Sequence, residues 1–126
     1  MYASPDGRHR YIYYTVSVHK RVATQTIIAG TRGEWGVMSE KMEAVATSEA
    51  PVALGAYSQA VKANGFVFVS GQLGIDPTTG ELAGDTAGEQ TAQALKNIKQ
   101  ILDTAGTGIE HVVRATIYMK NVEDFK

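Results

Sequence analysis

The sequence predicts an α+β domain in which a β-hairpin leads into a strand–helix–strand unit. Three observations carry this reading. Asn64-Gly65 lies between two runs of strand-forming residues and is a two-residue hairpin signal. Thr86-Ala87-Gly88-Glu89 has capping-box spacing, and apolar residues then recur every three or four positions. A further run rich in β-branched residues opens at Val112.

Taken in order, the first strand candidate is residues 11–18, rich in Tyr, Ile, Val and Thr and without helical period. Arg8, Arg10, Lys20 and Arg21 flank it. This candidate belongs to a stretch of distinct character. Residues 1–37 hold five basic and two acidic residues, a net of +3, and five of the ten aromatics. Residues 38–126 hold seven basic and eleven acidic residues, a net of −4. Three readings fit the first stretch: a native extension, a transit peptide, or a segment foreign to the native protein. The change at Met38 favours the third. Residues 1–37 are then a non-native or disordered extension, 38–126 a partial domain, and Met38 the native start. Arg32-Gly33-Glu34 can be encoded by a purine-rich run placed like a ribosome-binding site.

Residues 44–50 are small and polar and lead to Pro51. Residues 57–62 read as a short strand with one polar and one apolar face. Phe66-Val67-Phe68-Val69 is a continuous apolar run, as expected of a strand buried on both faces. Ser70-Gly71-Gln72 breaks it, and Asp76-Pro77-Thr78-Thr79-Gly80 has turn composition. The helix should run from the Thr86 cap to about Ala105, burying Leu95, Ile98, Leu102 and Ala105, with Ala94 and Ile101 widening the stripe. Lys96, Lys99 and Asp103 fall outside the stripe, and Gly106 supplies a left-handed stop. Residues 112–119 read as a strand. Asn121 offers an N-cap for residues 122–126, the first turn of a second helix. A right-handed crossover follows for 66–119 if its two strands pair in parallel. One hairpin and one strand cannot cover the apolar face of a helix. The fold is therefore expected to be incomplete at its C-terminus, with a second helix and at least one more strand beyond Lys126.

Composition narrows the chemistry. The absence of cysteine excludes disulfides, zinc-thiolate sites and a cysteine nucleophile, and fits a cytoplasmic location. No apolar run approaches the roughly 20 residues of a membrane span. A net charge of −1 calls for neither nucleic acid nor an anionic membrane. Gly71 and Gly74 lack the rest of any phosphate-loop pattern. His9, His19 and His111 show no metal-ligand spacing, so no metal is expected. Glu123 and Asp124 read as acids at a helix N-terminus.

Several joined stretches carry more. They are Ala50-Pro51, Gly55-Ala56-Tyr57-Ser58-Gln59-Ala60-Val61, Val69-Ser70-Gly71-Gln72 and Asp76-Pro77-Thr78-Thr79-Gly80-Glu81. Gln90-Thr91-Ala92-Gln93-Ala94-Leu95-Lys96-Asn97-Ile98, Thr116-Ile117-Tyr118-Met119-Lys120 and Asp124-Phe125 follow. In this order and spacing they resemble the RidA (YjgF) family. The resemblance implies a chorismate-mutase-like fold, homotrimers with clefts between subunits, and hydrolysis of reactive 2-imino acids to 2-oxo acids and ammonia without a cofactor. It places Tyr57 and Ser70 in the substrate pocket and Gly71 where the backbone approaches the ligand. A bidentate arginine suits the substrate carboxylate, an acid or held water the imine carbon, and neutral hydroxyls can orient both. Two departures stand out. Ala56 takes the place of a frequent proline. The family's pocket asparagine, arginine and late carboxylate would lie beyond Lys126, so no catalytic residue is assigned and the 126-residue chain is expected to be inactive. Two other classes remain open: a non-catalytic 2-oxo acid-binding regulator and an RNA-acting translation inhibitor. The net −4 of residues 38–126 weighs against the second.

Overall fold

The computed structural model describes residues 13–19, 42–63 and 65–125. Five strands form one sheet: β1 (Tyr13–His19), β2 (Glu43–Val45), β3 (Ala60–Ala63), β4 (Phe66–Gln72) and β5 (Val112–Tyr118). Their order across the sheet is β2-β3-β4-β1-β5. One long helix, α1 (Ala87–Thr104), packs on the sheet, and short 3-10 helices at Ile109–His111 and Val122–Phe125 flank β5. Among the described residues no helix is long and apolar enough to cross a membrane.

The α+β class and the hairpin are as expected. The pairing Ala63↔Phe66 leaves two residues to turn the chain, and Gly65 has φ +76°. A side chain would clash in that left-handed conformation, which is why glycine stands there.

The sheet departs from the expected crossover. Every strand pair is antiparallel, so β4 and β5 run in the same direction, but β1 lies between them. The strand-former expected at residues 11–18 is found at Tyr13–His19. It pairs with β4 on one side (Ser17↔Phe68) and β5 on the other (Ser17↔Arg114). Seven residues of the stretch expected to be an extension are thus a strand of the sheet. The rest of 1–37 and the boundary at Met38 lie outside the described residues.

The capping box of α1 forms as its spacing requires. The Thr86 hydroxyl accepts from the Glu89 N–H at 3.2 Å, and the Glu89 carboxylate accepts from the Thr86 N–H at 3.1 Å. At the far end Gly106 has φ +79°, its N–H donates to Asp103 O, and the Thr107 N–H donates to Leu102 O at 3.0 Å. This is the Schellman arrangement, and it satisfies the last carbonyls of the helix. Ala94, Ile98, Ile101, Leu102 and Ala105 are buried against Val45, Ala50, Ala60, Val67 and Val69. Leu95, expected in that stripe, is 38% exposed. The stripe is centred on Ala94, Ile98 and Ile101, and its other flank is taken by the buried amides of Gln90 and Asn97.

Two strand expectations and one helix expectation shift. Phe66-Val67-Phe68-Val69 is not buried on both faces: Val67 and Val69 face the core, while Phe68 is 48% exposed. Strand β3 begins at Ala60, not Tyr57, because the preceding residues bond elsewhere: the Tyr57 N–H donates to Gly55 O in a tight turn, and the Gln59 side chain bonds the chain before Val52. Residues 122–125 form a 3-10 helix, and Asn121 donates from Nδ2 to Asp124 Oδ2 at 3.4 Å rather than capping a backbone N–H.

Strand β5 pairs only with β1 among the described strands. A chain begun at Met38 should therefore lose hydrogen-exchange protection at residues 112–118 and keep it in α1. Unchanged protection of those amides would contradict the assigned order. Separately, the Thr86 hydroxyl and N–H hold the Glu89 carboxyl below its ordinary value of 4.5. A depressed folded-state value means that the contribution is full above 4.5 and is lost as pH falls through the folded value. Glu89→Ala should melt below wild type at neutral pH, and the difference should shrink as the pH is lowered past 4.5. A pH-independent difference would contradict this.

Candidate functional site

Strand β4 carries one residue more than β1 can match. Between Tyr14 and Val16, β1 advances by two residues, while β4 runs from Gln72 to Val69, by three. The surplus is a β-bulge at Ser70–Gly71. Burial records the same shift, since Val69 and Gln72 are both buried and Gly71 is exposed. A bulge re-aims side chains at its position and is a frequent device beside binding sites.

A pocket of about 690 Å³ opens at this bulge. Ser70, Gly71 and Gln72 line it, Tyr57 stands beside them, and Ser48, Ala50, Pro51, Val52 and Leu54 form one wall. Leu73, Ile75, Pro77 and Gly80 form the other. Thus Tyr57, Ser70 and Gly71, the three residues expected on sequence, line one pocket. No charged side chain is among its lining residues.

The hydrogen bonds leave each hydroxyl a defined capacity. Ser70 Oγ donates to Ser58 O at 2.6 Å, and the Ser70 N–H donates to Gln59 O at 2.9 Å. Its proton is committed, so Oγ can accept from a ligand. The Tyr57 hydroxyl accepts from the Leu54 N–H at 3.3 Å and retains a proton to donate. Tyr57 is 51% exposed, which leaves that proton accessible.

The far wall is tied back by its own loop. Asp76 accepts from the Thr78 N–H at 2.8 Å, and the Gly80 N–H donates to Asp76 O at 2.8 Å. That Thr78 N–H holds the Asp76 carboxyl below the usual carboxylate range. The charged carboxylate serves the turn and does not line the pocket. Gly74 lies against α1, where a Cβ would fall 2.5 Å from the Gln90 backbone. His111 is exposed, with Nδ1 3.3 Å from Thr107 Oγ1, and takes no part in the pocket. Among the described residues no group of His, Cys, Asp and Glu could hold a metal ion.

Sequence reasoning missed Gln59 and Asn97, which lie behind the pocket walls. A signal for Asn97 existed: it is a polar residue set among Ala94, Ile98 and Ile101 on the apolar helix face. It also missed Gln72, because the bulge reverses the alternation that would have turned it outward.

Residues 47–126 match the family described as endoribonuclease L-PSP. Reactive Intermediate Deaminase A, chloroplastic, of Arabidopsis thaliana is 48% identical over 88 residues, covering 70% of this chain and 47% of that protein. The 2-iminobutanoate/2-iminopropanoate deaminase of Rattus norvegicus is 44% identical over 81 residues, covering 64% of this chain and 59% of that one. RidA from the Antarctic bacterium Psychrobacter sp. PAMC 21119 superposes with a TM-score of 0.51 at 44% identity, covering 54% of this chain and 55% of that one. The chain spans between 47% and 67% of the length of such curated relatives.

Proposed function

The chain belongs to the endoribonuclease L-PSP family, the family of the RidA deaminases, and from that premise we propose that the whole protein hydrolyses 2-imino acids to 2-oxo acids and ammonia. The observation that carries the reading is the meeting of Tyr57, Ser70 and Gly71 in one pocket at the β4 bulge. Water adds to the imine carbon, the resulting carbinolamine loses ammonia, and the carbonyl of a 2-oxo acid remains. Ser70 Oγ accepts from the imine N–H or from the water. The Tyr57 hydroxyl donates to the substrate carboxylate. The apolar walls of Val52, Leu54, Leu73 and Ile75 take the substrate's side chain.

The substrate is an anion, and the lining holds no charge to receive it. The arginine that suits a carboxylate, and the group that moves protons, come from outside this lining. A homotrimer with the pocket at a subunit cleft is the assembly that supplies them. Its interface would draw on the sheet face opposite α1, where Phe68 is 48% exposed, with Val61 its cross-strand neighbour. Arg114 shares that face, since both it and Phe68 pair with Ser17. The same reading places the reaction in the cytoplasm, in keeping with a chain without cysteine. It assigns no nucleic-acid partner, because a phosphate backbone needs cations and the pocket presents none.

Measured on the full-length gene product with freshly generated 2-iminopropanoate, Tyr57→Phe and Ser70→Ala should each slow ammonia release about tenfold, the worth of one hydrogen bond in the transition state. Both variants should keep the assembly of wild type in ultracentrifugation. Wild-type turnover in both variants would overturn the assignment of the two hydroxyls.

A further inference from the structure

Both walls of the pocket lie outside the five strands, and the isolated Ile75↔Leu82 bridge on the far wall does not satisfy all of their carbonyls. Two buried carboxamides bond several of them. Gln59 is 3% exposed. Its Oε1 accepts from the Thr47 N–H at 2.6 Å, and its Nε2 donates to Thr47 O at 3.1 Å, Ala50 O at 3.2 Å and Pro51 O at 2.7 Å. Asn97 is fully buried at 0% exposure on α1. Its Nδ2 donates to Leu73 O at 3.0 Å and Ile75 O at 2.8 Å, and its Oδ1 accepts from Gln93 Nε2 at 2.9 Å. Ala50 and Pro51 belong to one wall, Leu73 and Ile75 to the other. Neither amide lines the pocket itself.

Gln59 has a second attachment. Its carbonyl accepts from the Ser70 N–H at 2.9 Å, so one residue links the near wall to the bulge. Asn97 hangs the far wall from the most deeply buried part of α1, beside Ile98 and Ile101. An amide suits both places and a carboxylate neither. The bonded wall groups are mostly carbonyl oxygens, which require donors, and burial would penalise a charge.

We propose that Gln59 and Asn97 are positioning residues that fix the two walls of the pocket, and so set ligand affinity without touching the ligand. For its ligand, though not for its geometry, the proposal rests on the reading of the pocket as a 2-imino and 2-oxo acid site. A purely structural role predicts something different, namely that any loss of binding tracks the loss of stability wherever in the core it is inflicted.

The test uses the full-length gene product and 2-oxobutanoate, followed by amide chemical shifts. Gln59→Glu places a carboxylate oxygen against three carbonyls in unchanged volume, and Gln59→Met removes the bonds without adding charge should the first variant not fold. Asn97→Leu does the same for the far wall. Ile101→Val, in the core and away from the pocket, is the control for stability loss. Each folded wall variant should weaken 2-oxobutanoate binding about tenfold or more, the scale of one or two lost hydrogen bonds. Each should also shift the Ser70, Gly71 or Ile75 amide resonances before ligand is added, whereas Ile101→Val should bind as wild type and leave them in place. Wild-type affinity and unmoved resonances in the wall variants would overturn the proposal, as would an affinity loss in Ile101→Val proportional to its fall in Tm. If wild type itself does not bind 2-oxobutanoate, the ligand reading fails. The unliganded shifts then decide the positioning role alone: moved wall resonances uphold it and unmoved ones overturn it.

Discussion

The surplus residue in β4 is the constraint on which the rest of the site depends. Val67 and Val69 must face α1 to close the core, and strict alternation would then turn Gly71 inward and Gln72 outward. The bulge breaks that alternation at Ser70–Gly71, so Gln72 turns inward while Gly71 meets solvent. Ser70 is pinned at the break by two bonds to the chain ahead of β3, through its N–H to Gln59 O and its hydroxyl to Ser58 O. The core and the pocket thus make opposite demands on one strand, and a single inserted residue reconciles them.

Around that strand the molecule is built in two materials. The sheet and α1 bury apolar residues and are held by ladders and packing. The pocket walls are loops whose carbonyls are gathered by buried amides. A loop so anchored keeps its geometry without a regular element, and leaves its apolar side chains free to face a ligand. The sheet itself depends on β1, which joins β5 to β4 although it precedes the family-matched residues 47–126.

Local patterns were readable from the sequence and long-range ones were not. The Thr86–Glu89 box, the Gly106 stop and the Asn64-Gly65 turn depend on residues within a few positions of one another, and each is found where expected. Strand character at 13–19 was equally local, but its place between β4 and β5 is a pairing across some 50 to 100 residues that composition does not encode. The same limit explains Leu95 and Phe68. Each is apolar and well patterned, yet burial is decided by what packs opposite, and both stay more than a third exposed. Tyr57, Ser70 and Gly71 came from the family resemblance rather than from spacing, and the pocket unites them. Gln59 and Asn97 lie within the family stretches, but a buried amide reads in sequence like any polar residue until its acceptors are located.

Deletion of Gly71 shows whether the β4 bulge makes the site. It removes the surplus residue and restores regular alternation to β4 without adding or altering any side chain. The deletion variant should keep the α1 core, seen as unchanged methyl resonances of Ile98 and Ile101, and should lose the 2-oxobutanoate-induced shifts at Ser70 and Tyr57. A deletion variant that keeps those shifts at wild-type affinity would contradict the claim that the bulge makes the site.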